Sequence, residues 1–268
     1  MGRKTTFKQA ADLEEEFRCS DLKTLELPFW LTCFSAMATY FSIVNWIAYA
    51  GQQNMTRFGY TATSVGFIYT MPYIIATVLA PILGIFIDKF GYRVHIMVAG
   101  SIFMIMAHLV QLFIPDCTDE CSISLITPIF LGISYATYCV ALWGSIPFLV
   151  EARAIGTAFG ICTAIQNGAT CYAPPLLGYI QESTVETQYG YFWMQIAYLI
   201  ISCLSLVTII LANYFDQKKR GGILNQVDPL AAFERYTEAK AVVRTSSVAS
   251  MQLTSLRETK KKRASAMY

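Results

Sequence analysis

The sequence predicts an all-α membrane protein with six transmembrane helices, and three observations carry that expectation. The chain is 55% apolar and only 14% charged, whereas a soluble domain carries about a quarter charged residues. The charges collect in residues 1–27, in short turns and in residues 216–268. Between them lie six apolar runs, each of roughly 20 residues or more and long enough to cross a hydrocarbon core. The basic residues are also sorted by side: with six spans, nineteen of the twenty Lys and Arg fall on one side and only Arg57 on the other. The positive-inside rule makes that side, and both termini, cytoplasmic.

Residues 1–27 form a cytoplasmic tail that alternates acids and bases, with a short surface helix expected over 10–18. Met1-Gly2 formally opens an N-myristoylation match, read as chance because six spans need no lipid anchor. The transmembrane domain, 28–215, begins with a span at 28–52. There Phe41, Asn45, Tyr49 and Gln52 follow helical spacing and share one face. Asn54-Met55-Thr56 is an N-glycosylation sequon in the loop expected next, crowded by the span before it.

The second span, 62–87, carries Tyr69 and Tyr73 on one face and runs into the charged turn Gly84, Asp88, Lys89, Gly91, Arg93. The third, 94–114, holds His108 and Gln111. Because other ionisable groups are missing from the span cores, His108 is a relay candidate, although such a histidine is more often a packing residue. The next loop is acidic and contains Cys117 and Cys121, close enough in sequence to leave a local disulfide open. Cys33, Cys139, Cys162, Cys171 and Cys203 lie within spans and read as small packing residues.

The fourth span, 123–149, places Tyr135 and Tyr138 near one another, and Glu151 and Arg153 follow it. The fifth, 154–180, has Gly156 and Gly160 spaced for close helix approach, and Pro174-Pro175 to bend it. Its middle carries Thr163, Gln166, Asn167 and Thr170. The sixth span ends at 215. Residues 216–268 form a basic cytoplasmic tail in which Asp228-Pro229 opens a helix reaching about 244. From 245 onward the composition, rich in Ser, Thr and Lys, cannot bury a core and predicts disorder.

Two groups are candidates for function. At the cytoplasmic mouth, Gly84, Asp88, Lys89, Gly91 and Arg93 face Glu151 and Arg153 across a short distance in topology. A carboxylate at a helix end can cap a neighbouring helix, and Arg93 could pair with Glu151. Such contacts hold one side of a bundle shut and break when it opens. Positive-inside bias explains the bases but not Asp88. Within the membrane, Asn45, Gln166 and Asn167 are costly unless they face protein or a wet cavity. With Tyr49, Gln52, Tyr69, Tyr135 and Tyr138 they form the candidate solute site, against the alternative that they are interhelical packing groups. Phosphate-binding loops, zinc-ligand spacings and catalytic triads are not visible in the sequence. It therefore predicts neither an enzyme nor a cofactor, metal or nucleic-acid partner.

The run Gly84-x3-Asp88-Lys89-x-Gly91-x-Arg93 resembles the cytoplasmic loop signature of the major facilitator superfamily, with Tyr92 where a base is common. Ser134 to Glu151, Gly156 to Gly160, Ala164 to Asn167, and Gly66 to Ile75 are similar to its lysosomal dipeptide transporter branch. The resemblance covers about 28–215. It implies the C-terminal six-helix half of a twelve-helix fold, with the solute, a small peptide, held between halves and moved by alternating access. It further implies a lysosomal or other endomembrane. The partners implied are the lipid bilayer, a second six-helix half or a homo-oligomer, and a luminal glycoprotein subunit. The alternative is a transport-inactive six-helix membrane subunit or scaffold that acts through protein partners.

Overall fold

The computed structural model describes residues 25–242, with Leu22 and Thr245. The surface helix expected over 10–18, the amino-terminal lipidation match and the tail beyond 245 lie outside the described residues. Six long helices follow: α1 Leu27–Phe58, α2 Ala62–Phe90, α3 Arg93–Phe113, α4 Ile126–Ser145, α5 Ile155–Ser183 and α6 Tyr191–Arg220. No strand occurs among the described residues.

Local chemistry sets the helix ends. Pro28 sits in the first turn of α1, and Gly59 closes that helix in the left-handed conformation, its N–H bonding Asn54 O. Thr61 caps α2 by accepting the Ser64 N–H at 3.2 Å. Pro147, in a short turn of 3-10 helix, ends the run that begins with α4. Lys218, Lys219 and Arg220 occupy the last turn of α6, where the helix dipole favours cations.

Five of the six helices are long and apolar enough to cross a membrane. The remaining one, α5, is 29 residues long, but its amides, hydroxyls and glycines make it more polar. The chain is a multi-pass, all-α membrane protein. Two helices outrun the spans drawn from sequence. α1 continues past 52, so Asn54 is a buried helical residue whose Nδ2 donates to Ala50 O at 2.7 Å rather than a loop acceptor for a glycan. α6 continues past 215 and takes Asp216 and Arg220 into the bundle.

α1 packs against α6, α5 and α2; α4 packs against α3 and α2; α3 closes against α6. Hydroxyls hold the middle. Ser205 Oγ lies 2.7 Å from Thr39 Oγ1, while Ser35 Oγ donates to Ser205 O at 2.8 Å and bonds the Tyr138 hydroxyl. Close helix approach occurs at glycines the spacing did not single out. A methyl on Gly132 would lie 2.8 Å from Ile75 Cβ, and one on Gly100 would strike Thr137 Oγ1. Gly156 and Gly160, expected to be close-approach positions, have nothing within 4 Å of a built Cβ.

Residues 228 onward form a separate unit. Asp228 Oδ1 accepts the Ala231 N–H at 3.1 Å and starts a helix over 229–242.

Candidate functional site

The α2–α3 turn divides into an outward and an inward half. Gly84 has open space around it, and Asp88 and Lys89 are exposed. Among the described residues no hydrogen bond or ion pair reaches Asp88. Gly91 and Arg93 turn inward. Gly91 has φ +73°, and a Cβ there would lie 2.6 Å from Asn225 O, so only glycine fits. Arg93 is buried, donates to Gln226 O at 3.3 Å and lies over the Phe148 ring at 5.2 Å. The expected Arg93–Glu151 pair is absent. Arg93 is drawn to the turn after α6, and Glu151 instead pairs with Arg153 at 3.1 Å on the surface.

The partner of this inward half went unrecognised in the sequence. Asn225 follows α6 and caps α3: its Oδ1 accepts the Val94 N–H at 3.1 Å, and its O accepts the Tyr92 N–H at 3.2 Å. Behind it, Asp216 accepts the Leu224 N–H at 3.1 Å. Arg220 pairs with Asp216 and with Glu26, both at 3.3 Å, and donates to Phe148 O. One buried guanidinium therefore ties the start of α1, the segment after α4 and the end of α6. The i, i+4 spacing of Asp216 and Arg220 was the available signal, but both looked like tail residues.

The second candidate set lies partly on the open surface of α2 and α5. Tyr69 and Tyr73 are exposed on α2, and Tyr172, Leu176 and Tyr179 are exposed on α5. Tyr73 lines a groove of about 500 Å³ with Thr70, Ile74, Thr77 and Val78. From Tyr73 a row of rings crosses the bundle. Tyr73 and Tyr135 lie 5.8 Å apart, Tyr135 and Tyr40 6.0 Å, and Trp143 and Phe159 5.8 Å. Trp143 Nε1 donates to Tyr40 OH at 3.2 Å and joins the two pairs. Tyr40, Trp143 and Phe159 were not among the residues predicted for the site; their aromatic character alone did not separate them from packing residues. Asn167 and Gln52 are exposed. Gln166 is buried with Oε1 lacking a protein partner, and Tyr49 OH donates to Pro174 O at 3.0 Å.

Other members of that set belong to the interior. Asn45 is buried, its Nδ2 donating to Phe41 O of its own helix at 2.7 Å. Tyr138 is buried in the hydroxyl cluster with Ser35 and Ser205. His108 is equally enclosed. Its Nε2 lies 2.6 Å from Ser42 Oγ, its Nδ1 lies 2.6 Å from Gln195 Nε2, and its ring stacks on Tyr198 at 5.3 Å. That is the geometry of a packing histidine. An apolar recess of about 230 Å³ between α1, α5 and α6 contains Phe41 but none of the predicted solute residues.

At the opposite end of the bundle, Arg57 is only 1% exposed. It donates to Asp116 Oδ1 at 2.7 Å and to Ile114 O at 2.8 Å. The α3–α4 link is laced onto the α1–α2 turn there: Cys117 N–H reaches Arg57 O at 2.7 Å, and Tyr60 OH reaches Cys121 O at 2.8 Å. A disulfide joins Cys117 and Cys121. As the one basic residue on its side, Arg57 carried a signal that sequence reading treated as an exception.

A six-helix membrane bundle with a Gly- and Asp-marked α2–α3 turn has its counterpart among known families. Residues 29–258 match the Major Facilitator Superfamily. The chain belongs to that superfamily. It is also similar to proteins named lysosomal dipeptide transporter MFSD1. The Danio rerio protein is 26% identical over 216 residues, covering 81% of this chain and 44% of the relative. The Homo sapiens protein is 24% identical over 218 residues with the same coverage. The Mus musculus protein is 25% identical over 228 residues, covering 83% and 45%. The chain thus spans less than half the length of these curated relatives.

Proposed function

We propose that this six-helix bundle is one half of a facilitative transporter that moves small solutes, short peptides among them, by alternating access. The observation that carries the reading is the open surface of α2 and α5. Rings, a free amide and glycines with space around them lie on two long helices whose surfaces this bundle leaves largely uncovered. Aromatic faces and an amide suit a solute with apolar side chains and hydrogen-bonding ends, and charged groups are missing from the middle of these two helices. The similarity to lysosomal dipeptide transporters supports peptides as the solute and a lysosomal or related endomembrane as the site. A second six-helix half, from further sequence or another copy, would complete the cavity, and a luminal accessory glycoprotein would fit the same branch.

The test is reconstitution in liposomes, with the chain alone and with the amino-terminal half of a relative. Saturable dipeptide uptake that appears only with both halves supports the reading. Its absence with well-folded halves sinks it. Orientation is tested separately. Terminal tags on both ends should be cleaved by protease outside intact organelles if, as the sorting of basic residues predicts, both ends are cytoplasmic.

A further inference from the structure

The recess of about 230 Å³ between α1, α5 and α6 takes no part in the candidate solute site. Phe34, Met37 and Phe41 of α1, Ala169 of α5, and Leu204 and Thr208 of α6 line it. Phe34 and Leu204 are 46% and 49% exposed, so the recess opens toward the surroundings of the bundle rather than into its core. Ala169 presents only a methyl between larger side chains of α1 and α6, which leaves the hollow. The one hydroxyl in the lining is already used, because Thr208 Oγ1 donates to Leu204 O of its own helix at 2.8 Å. The lining therefore offers a polar group no side-chain partner.

Two stripes run from this recess to one end of the bundle. On α6, Leu204, Thr208, Phe215 and Lys219 recur at helical spacing and share a face. On α1, Trp30, Phe34, Met37 and Phe41 do the same. The stripes finish at one level, since Glu26, just before α1, pairs with Arg220 of α6 at 3.3 Å. Lys218 and Lys219 are exposed there. Their ammonium groups lie over the Tyr214 and Phe215 rings at 5.6 and 5.5 Å. Among the described residues neither pairs with a carboxylate.

We propose that this recess holds an acyl chain of one anionic phospholipid, whose headgroup sits at Lys218 and Lys219. From Lys219 to Thr208 is about 16 Å along α6 at the α-helical rise, close to half of the roughly 30 Å hydrocarbon core. A chain descending from a headgroup at the lysines therefore reaches the recess. Surrounding lipid is as apolar as the lining, so burial alone favours no particular lipid. What the recess adds is contact, because an unfilled hollow forfeits the van der Waals partners of its walls. The lysines add the preference for a negative headgroup. A sterol fits this chemistry poorly: its hydroxyl has no side-chain partner in the recess, and it brings no charge to the lysines. The site lies on α1 and α6 with one contact from α5, and it does not depend on the chain being a transporter.

The test uses the full chain in phosphatidylcholine nanodiscs with a minor fraction of phosphatidylserine that carries a diazirine midway along one acyl chain. Photolysis should label segments 34–41 and 204–208 several-fold more than Val78 and Ile82, which are more exposed on α2. Unlabelled phosphatidylserine should displace the label. The same amount of phosphatidylcholine should not, nor should glycerophosphoserine, which is the headgroup without chains. Lys218→Gln combined with Lys219→Gln should lower the preference for phosphatidylserine roughly ten- to thirtyfold. Ala169→Leu, which fills the hollow and leaves both lysines in place, should move the label off 204–208. Labelling no stronger in the recess than at Val78 and Ile82 would overturn the proposal. So would displacement by cholesterol, or an unchanged preference in the lysine variant. Loss of the label when the amino-terminal half of a relative is assembled with the chain would overturn it too, since the recess would then be a protein interface.

Discussion

α1 and α2 are joined by a three-residue turn and both are apolar enough to span a membrane, yet they finish very differently. The most apolar stretch of α1 is 67% buried in the bundle, and that of α2 only 17%. Composition reports the medium a helix tolerates, while its polar residues report whether it has neighbours. Ser35, Thr39, Ser42 and Arg57 of α1 all bond other helices or the links between them. Thr70 and Thr77 of α2 turn back to their own carbonyls. α1 is therefore an interior strut, and α2 presents most of its surface to whatever surrounds the bundle.

The sharpest way to break this comparison is to attack the interior side. Arg220 is buried with Asp216 and pairs with Glu26, so Arg220→Met leaves a carboxylate buried without its partner. Removing one partner of such a pair costs about 3–5 kcal/mol, and the purified protein should melt well below wild type. Adding Asp216→Leu should return part of the loss. A triple variant including Glu26→Gln should recover more. If Arg220→Met melts with wild type, the clasp at the end of α6 is not holding the bundle.

The two glycines of the signature turn give a cleaner contrast, because they sit seven residues apart and one has open space where the other has backbone. Gly91→Ala forces a left-handed φ on alanine and a methyl against Asn225 O, for a stability loss of about 1–3 kcal/mol. Gly84→Ala meets nothing within 4 Å and should raise helix stability by up to about 1 kcal/mol. Equal losses at both sites in unfolding experiments would mean that α2 is covered after all. If a second half packs on this face, Gly84→Leu should impair assembly with that half and leave the melting temperature of the bundle unchanged.

Much of this was readable in the sequence, and the reason it stopped where it did is physical. Six apolar runs predicted six long helices, because burying a backbone in hydrocarbon demands one. The same rule says nothing about which face of each helix meets protein, so Asn45 and Asn167 looked equivalent. Asn45 turned out to satisfy its own helix in the interior, and Asn167 to lie exposed. The turn signature marked Gly91 and Arg93, but their partners Asn225 and Gln226 lie more than 130 residues later in an unremarkable polar segment. Spacing arguments reach one helix or one loop. Contacts between distant segments need the fold.

That pair of asparagines carries the next test. Asn45→Ala removes a buried amide bonded within α1, and should cost about 0.5–1.5 kcal/mol of stability in thermal unfolding. Asn167→Ala should leave melting unaffected. In a complete transporter it should weaken peptide uptake by about five- to a hundred-fold in apparent affinity, as expected for a lost hydrogen bond to a desolvated solute. If uptake affinity falls for Asn45→Ala and not for Asn167→Ala, the solute lies inside the bundle and the open face has another use.

The smallest expected change in the isolated bundle is at Asp88. It is exposed at the end of α2, and among the described residues no hydrogen bond or ion pair holds it. Asp88→Asn should therefore leave expression and melting of the six-helix chain as they were. Its carboxylate gains a role only where a helix from a second half brings an N-terminus or a base beside it. In a complete transporter that contact would favour the state closed on the cytoplasmic side, and removing the charge would shift the population toward inward-open. Single cysteines placed on the half of the open face nearer Asp88, such as Val78→Cys and Ile82→Cys, should then react faster with a polar maleimide in the Asp88→Asn background. The acceleration should vanish when the second half is withheld, since both backgrounds then expose α2 equally. Rates that match with and without Asp88 in the assembled protein would make it an ordinary loop charge. The distinction between a finished interior helix and an unfinished outer one would then rest on the glycines and asparagines alone.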